Sequence, residues 1–329
     1  MPQKLHFISG LPRSGSTLLA GILRQNPRFH AAMTGPVGGM VQAMLATFAP
    51  QNETAIFLEE ETRRRVLRAI FESYYALHAD KAVILDTNRM WCSRLPLVRT
   101  LFPDAKVLCC VRDVAWVMDS FERLVRRNVF EPSRLFPPHE QRATVYSRTE
   151  ALAQRDRTVG FAWSALKDAY YGEHSDALLL IEYDRLVQEP ALCLRLIYDF
   201  LGEPWFEHDF DDVEYDEPEF DRQLGAPGLH TVKRKVEWQP RPTVLPPDLF
   251  ERFHAMTFWR DGTGSSARRI TLQPPERATP FAGIPARPWG ESRPDEHARP
   301  SIDRRGSELR NAGDGHAPSA RRELANEHS

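Results

Sequence analysis

The hydrophobic positions of the chain fall into short unbroken runs separated by amphipathic stretches. L-H-F-I-S (Leu5 to Ser9), K-A-V-I-L-D (81–86), K-V-L-C-C-V-R-D (106–113) and A-L-L-L-I-E-Y (177–183) are apolar segments of strand length. This is the pattern of strands buried on both faces of a parallel sheet. Between them apolar residues recur at helical spacing. The sequence predicts helices from Ser16 to near Asn26-Pro27, from about Phe57 to His78, from Val114 to Arg127, from about Thr149 to Tyr171, and from Ala191 to Leu201 before Gly202. In the second of these, Val66, Ile70, Tyr74 and Leu77 form one stripe, and the charged run Glu59 to Arg65 lies mostly on the solvated side. M-T-G-P-V-G-G-M (33–40) and residues 130–150 read as loops. The alternation predicts an α/β fold, a P-loop-like parallel sheet flanked by helices, without internal repeats.

From about Gly262 the pattern stops. The remainder is rich in Arg, Pro, Gly and Ser, contains no lysine and has almost no aliphatic periodicity. Such a segment buries too little surface to offset chain entropy. The expected organisation is therefore one domain over residues 1–261 and a disordered tail over 262–329.

Composition narrows the setting. With 329 residues, 42% of them hydrophobic, the chain can bury one large core or two smaller ones. A net charge of −2 offers no global field for nucleic acid. Cys92, Cys109, Cys110 and Cys193 form neither a C-x-x-C pair nor a metal-like cluster with histidines, so reduced, buried thiols and no metal are expected. The apolar run before the first glycine loop is too short for a signal peptide, and no run approaches membrane-spanning length. A cytoplasmic protein that engages neither membrane nor nucleic acid is the expectation.

The first strand runs into G-L-P-R-S-G-S-T (10–17). Gly10, Gly15 and Thr17 stand where the P-loop pattern G-x-x-x-x-G-K-[ST] places its glycines and hydroxyl, but Ser16 replaces the lysine. The glycines permit a tight turn with inward N–H groups, and the helix opened by Ser16 and Thr17 adds partial positive charge, so an anion is the natural guest. Arg13 offers a planar cation inside the loop. A second candidate anion site follows the third strand, with Arg112 at its end and Ser120 two turns into the next helix. In a parallel sheet both lie at carboxyl ends of strands, where open α/β folds bind ligands. The alternative is that Arg112 pairs with Asp113 and Ser120 is incidental.

L-P-R-S-G-S-T-L-L and V-R-D-V-A-W-V-M-D-S resemble the 5′- and 3′-phosphate motifs of sulfotransferases that use PAPS, 3′-phosphoadenosine 5′-phosphosulfate, and residues 179–205 are similar to the segment that follows in those enzymes. The likeness covers about residues 4 to 260, is nearest to bacterial and tyrosylprotein-type members, and implies sulfuryl transfer to a hydroxyl or amine. It assigns Arg13, Ser14, Gly15, Ser16 and Thr17 to the 5′-phosphosulfate and Arg112 and Ser120 to the 3′-phosphate. Tyr183 falls near the 3′-phosphate or adenine, and Lys233, Arg234 and Arg241 fall in a C-terminal loop that closes over the nucleotide. PAPS carries no γ-phosphate, which accounts for the missing lysine. The acceptor stays open among small molecules, carbohydrates, lipids and peptides.

Tyrosylprotein-type enzymes carry a catalytic glutamate some twenty residues beyond the loop arginine, where this chain reads Met33-Thr34-Gly35-Pro36. Asp86, ending the second predicted strand, is the candidate replacement base, with Arg89 as charge stabiliser; the alternative is that Asp86 caps the next helix and pairs with Arg89. His30 is the next candidate. The competing functions are a nucleotide kinase or other NTP-using P-loop protein, disfavoured by Ser16, and a nucleotide-binding module without catalysis.

Overall fold

The predicted apolar runs form four strands of a six-stranded, wholly parallel sheet: β1 (Lys4–Gly10), β2 (Phe29–Ala31), β3 (Val83–Thr87), β4 (Val107–Val111), β5 (Leu178–Glu182) and β6 (Arg268–Ile270), in the order β2-β3-β1-β4-β5-β6. The computed structural model describes residues 3–130, 135–136, 139–232 and 234–271. Twelve α-helices join and flank the strands among the described residues: α1 (Ser16–Leu23), α2 (Val37–Thr47), α3 (Glu60–Tyr74), α4 (Met90–Ser93), α5 (Leu95–Leu101), α6 (Val114–Arg127), α7 (Val145–Ala153), α8 (Thr158–Tyr171), α9 (Tyr183–Gln188), α10 (Pro190–Leu201), α11 (Pro218–Gln223) and α12 (Pro247–His254). None of them is long and apolar enough to cross a membrane.

Period-two alternation divides the core. Phe7, Ile84, Cys109 and Leu180 enter one apolar cluster with residues of α3, α5, α6, α8 and α12. Their neighbours Ile8, Leu85, Cys110 and Ile181 enter a second cluster with α1 and α10. Both faces are thus covered, which is why the strands read as continuous apolar runs.

Helix α6 occupies the predicted residues because its start is chemically marked: the Asp113 carboxylate accepts from Ala115 N at 3.0 Å as an N-cap. Helix α10 ends at Gly202 in the left-handed conformation, φ 69°. The expected single helix over 149–171 is two, α7 and α8, interrupted by the polar run Gln154 to Arg157. Residues 33–40 are only partly loop. Val37 and Val41 are buried, and this packing outweighs the poor propensity of Gly38-Gly39 to give α2. The expected domain end at residue 261 is also moved: β6 pairs with β5 through Arg269 opposite Leu180, so the sheet extends to Ile270. Three residues with one buried side chain leave no periodicity to read. The rest of the expected tail, 272–329, lies outside the described residues.

Candidate active site

The connections leaving β1 and β4 run to opposite sides of the sheet, so the crevice between these neighbours is the place where an open parallel sheet offers a ligand site. Gly10 ends β1 at φ 104°, and a Cβ there would meet Cys110 O of β4 at 2.2 Å. Only glycine lets the loop leave the sheet so close to its neighbour. Ser14 Oγ donates to Cys110 O at 2.8 Å and fixes the loop to β4. Gly15 (φ 91°) then begins α1 with no side-chain cap, leaving the helix N-terminus available to an anion. A Cβ on Gly15 would lie 2.7 Å from the Tyr183 ring.

Arg13 is the one non-glycine residue with positive φ (58°) among the described residues. That conformation costs an ordinary residue roughly 1–2 kcal/mol and needs holding in place. Its Nε donates to Ser120 Oγ at 3.0 Å, and Nη1 donates to Leu229 O. Burial, and next the charge of Arg112, lower its pKa to about 10. The Arg112 guanidinium lies 4.3 Å from the Tyr183 ring centre, with Nε buried and unpartnered among the described residues. It does not pair with Asp113, which caps α6 and accepts from His254 at 2.5 Å. Arg241 joins the group, bonded to Asp119 at 2.9 Å while repelled by Arg112. The structure therefore brings Arg13, Ser14, Gly15, Arg112, Ser120 and Tyr183 together, with Ser16 and Thr17 at the start of α1.

Asp86, His30 and Arg234 lie apart from this group. Asp86 is 1% exposed; its Oδ2 accepts from Tyr75 at 2.5 Å and its Oδ1 from the Trp91 indole at 2.7 Å. Burial raises its pKa. It neither caps a helix nor pairs with Arg89, and it is an acceptor that joins α4 to the residue following α3. The Arg89 side chain reaches the surface, desolvation by its surroundings lowers its pKa, and its charge acts on His230 together with that of Arg13. His30 stacks on His78 at 3.9 Å, and burial lowers its pKa to about 4. The charges acting on it are His78, Arg24, Lys81 and Asp80, a different set from the guanidinium group. Arg234 is exposed and paired with Asp212 at 2.6 Å and Glu214 at 3.2 Å, outside that group. Lys233 lies outside the described residues.

One pair was missed in the sequence. His230, next to the Leu229 carbonyl that Arg13 grips, has Nδ1 2.6 Å from Asp221 Oδ1, and its backbone N donates to Asp221 Oδ2 at 2.8 Å. Arg13 and Arg89 are close enough to oppose its protonation. The available signal was faint, an aspartate nine positions before a histidine across the turn G-A-P-G.

Such a site can hold a doubly anionic ligand between the α1 N-terminus and a set of guanidiniums that the protein leaves incompletely paired. Residues 6–207, more than half of the chain, match the family described as "Sulfotransferase family". The chain is 24% identical over 245 residues to protein-tyrosine sulfotransferase 1 of Danio rerio, an alignment covering 72% of this chain and 62% of that protein. It is 24% identical over 254 residues to the protein-tyrosine sulfotransferase of Drosophila melanogaster, covering 73% and 45%. The chain thus spans less than two thirds of these relatives. Among solved structures, the sulfotransferase domain from the curacin biosynthetic pathway aligns with TM-score 0.47 and 18% identity over 78% of this chain and 97% of that one. The family match, lying across the loop, β4 and β5 that build the site, shows that this chain belongs to the sulfotransferase family.

Proposed function

We propose that the protein transfers a sulfuryl group from PAPS to a hydroxyl or amine acceptor. The observation that carries this reading is the convergence of Arg13, Arg112, Ser120 and Tyr183 at the uncapped N-terminus of α1. The site fits the donor on three counts: the buried Arg112 Nε lacks a partner among the described residues, Gly15 leaves space that a Cβ would fill against Tyr183, and Arg13 and Arg112 repel one another, a repulsion that a bound anion would relieve.

In this reading the loop N–H groups of residues 13–17 and the Arg13 side chain hold the 5′-phosphosulfate, while Arg112, with Ser120, reads the 3′-phosphate. Tyr183 lines the nucleotide beneath Arg112, and Arg241, anchored on Asp119, adds charge. Sulfuryl transfer asks the protein to align donor and acceptor and to stabilise charge on the leaving oxygen. Arg13 and the exposed Arg89 do the latter without a lysine in the loop. Four buried thiols, Cys92, Cys109, Cys110 and Cys193, suit a cytoplasmic protein. The acceptor is a small molecule, carbohydrate, lipid or peptide.

The test is a transfer screen with radiolabelled PAPS over phenols, alcohols, amines, sugars, lipids and tyrosine peptides. Label appearing on at least one acceptor, and disappearing in Arg13→Ala, is the expected result. Tight nucleotide binding without transfer to any acceptor would instead favour a binding module.

A further inference from the structure

With Asp86 occupied by Tyr75 and Trp91, Asp119 paired with Arg123 and Arg241, and no acid or histidine at 33–36, none of these positions offers a free group to take the proton of an alcohol. The segment that Arg13 grips supplies one. His230 is held at two points by a single carboxylate: Asp221 Oδ2 accepts from its backbone N at 2.8 Å and Oδ1 faces its Nδ1 at 2.6 Å. Asp221 itself is fully buried. An ionised carboxylate can only accept, so Nδ1 carries the hydrogen and Nε2 presents its lone pair. Nε2 has no hydrogen-bond partner among the described residues, and the side chain keeps 12% exposure. The Phe220 ring lies 5.5 Å from the imidazole and limits its reorientation.

We infer that His230 is the general base of the transfer reaction and that Asp221 is its positioning residue. The inference rests on the sulfotransferase reading above. The acceptor O–H gives its proton to His230 Nε2 as its oxygen bonds to sulfur, and the bond from sulfur to the phosphate oxygen of PAPS breaks with its electron pair left on adenosine 3′,5′-bisphosphate. No other reactant is needed.

The surroundings suit the role. The groups acting on His230 are Asp221 on α11, Arg13 in the loop after β1, and Arg89 after β3. Burial, reinforced by the two arginines, lowers its pKa against the opposing pull of Asp221, so the ring is neutral and able to accept at neutral pH. Because Arg13 Nη1 donates to Leu229 O, the group that grips the sulfonate in this reading also fixes the residue adjoining the base.

The experiment compares two acceptors in wild type, His230→Gln and Asp221→Asn: 2-phenylethanol, which retains its proton, and 4-nitrophenolate, already ionised in mildly alkaline buffer. Adenosine 3′,5′-bisphosphate binding, read by thermal shift, confirms an intact donor site in each variant. His230→Gln should lose about a hundredfold or more in transfer to the alcohol and less than about threefold in transfer to the phenolate. Asp221→Asn should retain part of the alcohol activity with its acid limb displaced on the pH axis. Equal losses with both acceptors, or alcohol transfer within threefold of wild type, would overturn the assignment. A wild type that neither binds the bisphosphate nor transfers to either acceptor would overturn the sulfotransferase reading, and the base with it.

Discussion

Arg13 Nε donates to Ser120 Oγ at 3.0 Å, linking the loop after β1 to the second turn of α6. The sequence suggested two anion sites, one at the glycine loop and one at Arg112 and Ser120. The hydrogen bond connects the two groups in the structure, and in the proposed reading Ser120 serves both ends. A charge-assisted bond of this kind is worth about 1.5–3 kcal/mol. Ser120→Ala should therefore weaken adenosine 3′,5′-bisphosphate binding about tenfold, measured by calorimetry, and should also weaken binding of adenosine 5′-phosphosulfate, which lacks the 3′-phosphate. Unchanged affinity for the latter would show that Ser120 does not reach the loop end of the site.

Arg112 should be more selective. In the proposed reading it meets the 3′-phosphate alone, with its Nε unpartnered among the described residues and its guanidinium 4.3 Å from the Tyr183 ring centre. Arg112→Ala is expected to cost about tenfold or more in bisphosphate affinity while leaving adenosine 5′-phosphosulfate nearly unaffected. Equal losses for both ligands would make Arg112 a structural partner of Tyr183.

Gly15→Ala tests the shape of the cradle. The new methyl would need a positive φ and would meet the Tyr183 ring at 2.7 Å. The variant should fold, with a melting temperature lowered by a few degrees at about 1–2 kcal/mol of strain, and should lose nucleotide-induced stabilisation. Retained stabilisation would mean that loop and tyrosine separate at little cost.

Asp86 should matter for stability and not for the chemical step. Asp86→Asn turns an N–H group toward Tyr75 or Trp91, both of which donate to the carboxylate. A loss of about 1–3 kcal/mol in urea denaturation is expected, with alcohol transfer by the folded protein within a few-fold of wild type. A hundredfold loss of transfer at unchanged stability would return Asp86 to the role of base.

Acid should destabilise the fold through two buried histidines. Burial lowers the pKa of His6 and of His208 from 6.5 to about 4. Below pH 6.5 the unfolded chain takes up protons that the folded state refuses, so stability falls from pH 6.5 toward about pH 4. The slope should approach about 1.4 kcal/mol per pH unit for each histidine in the middle of that window. The measurement is the urea midpoint as a function of pH; a flat profile across this range would show that both rings protonate in place.

Much of this architecture is legible in sequence because local signals agree with tertiary ones. The apolar runs of β1, β3, β4 and β5, the Asp113 cap and Gly202 each mark an element by itself. The glycine loop is legible for the same reason: its backbone demands are met by residue types that serve little else. What escapes is whatever depends on a distant partner. Phe29–Ala31 and Arg268–Ile270 are strands because a neighbour offers them hydrogen bonds, and three residues carry no period. In sequence Asp86 is an acid at a sheet edge; only the fold shows Tyr75 and Trp91 closing over it. His230 lay in a segment without periodicity, and its meaning comes from Asp221 and Arg13, the latter far away in the chain.

The central claim is that this site binds a nucleotide carrying a 3′-phosphate and needs no loop lysine or Mg²⁺ to do so. Parallel calorimetric titrations with adenosine 3′,5′-bisphosphate in Mg²⁺-free buffer and with Mg·ATP test it most directly. The account predicts that the bisphosphate binds at least about tenfold more tightly, with the difference abolished by Arg112→Ala. Tighter binding of Mg·ATP, or a preference that survives the loss of Arg112, would contradict it.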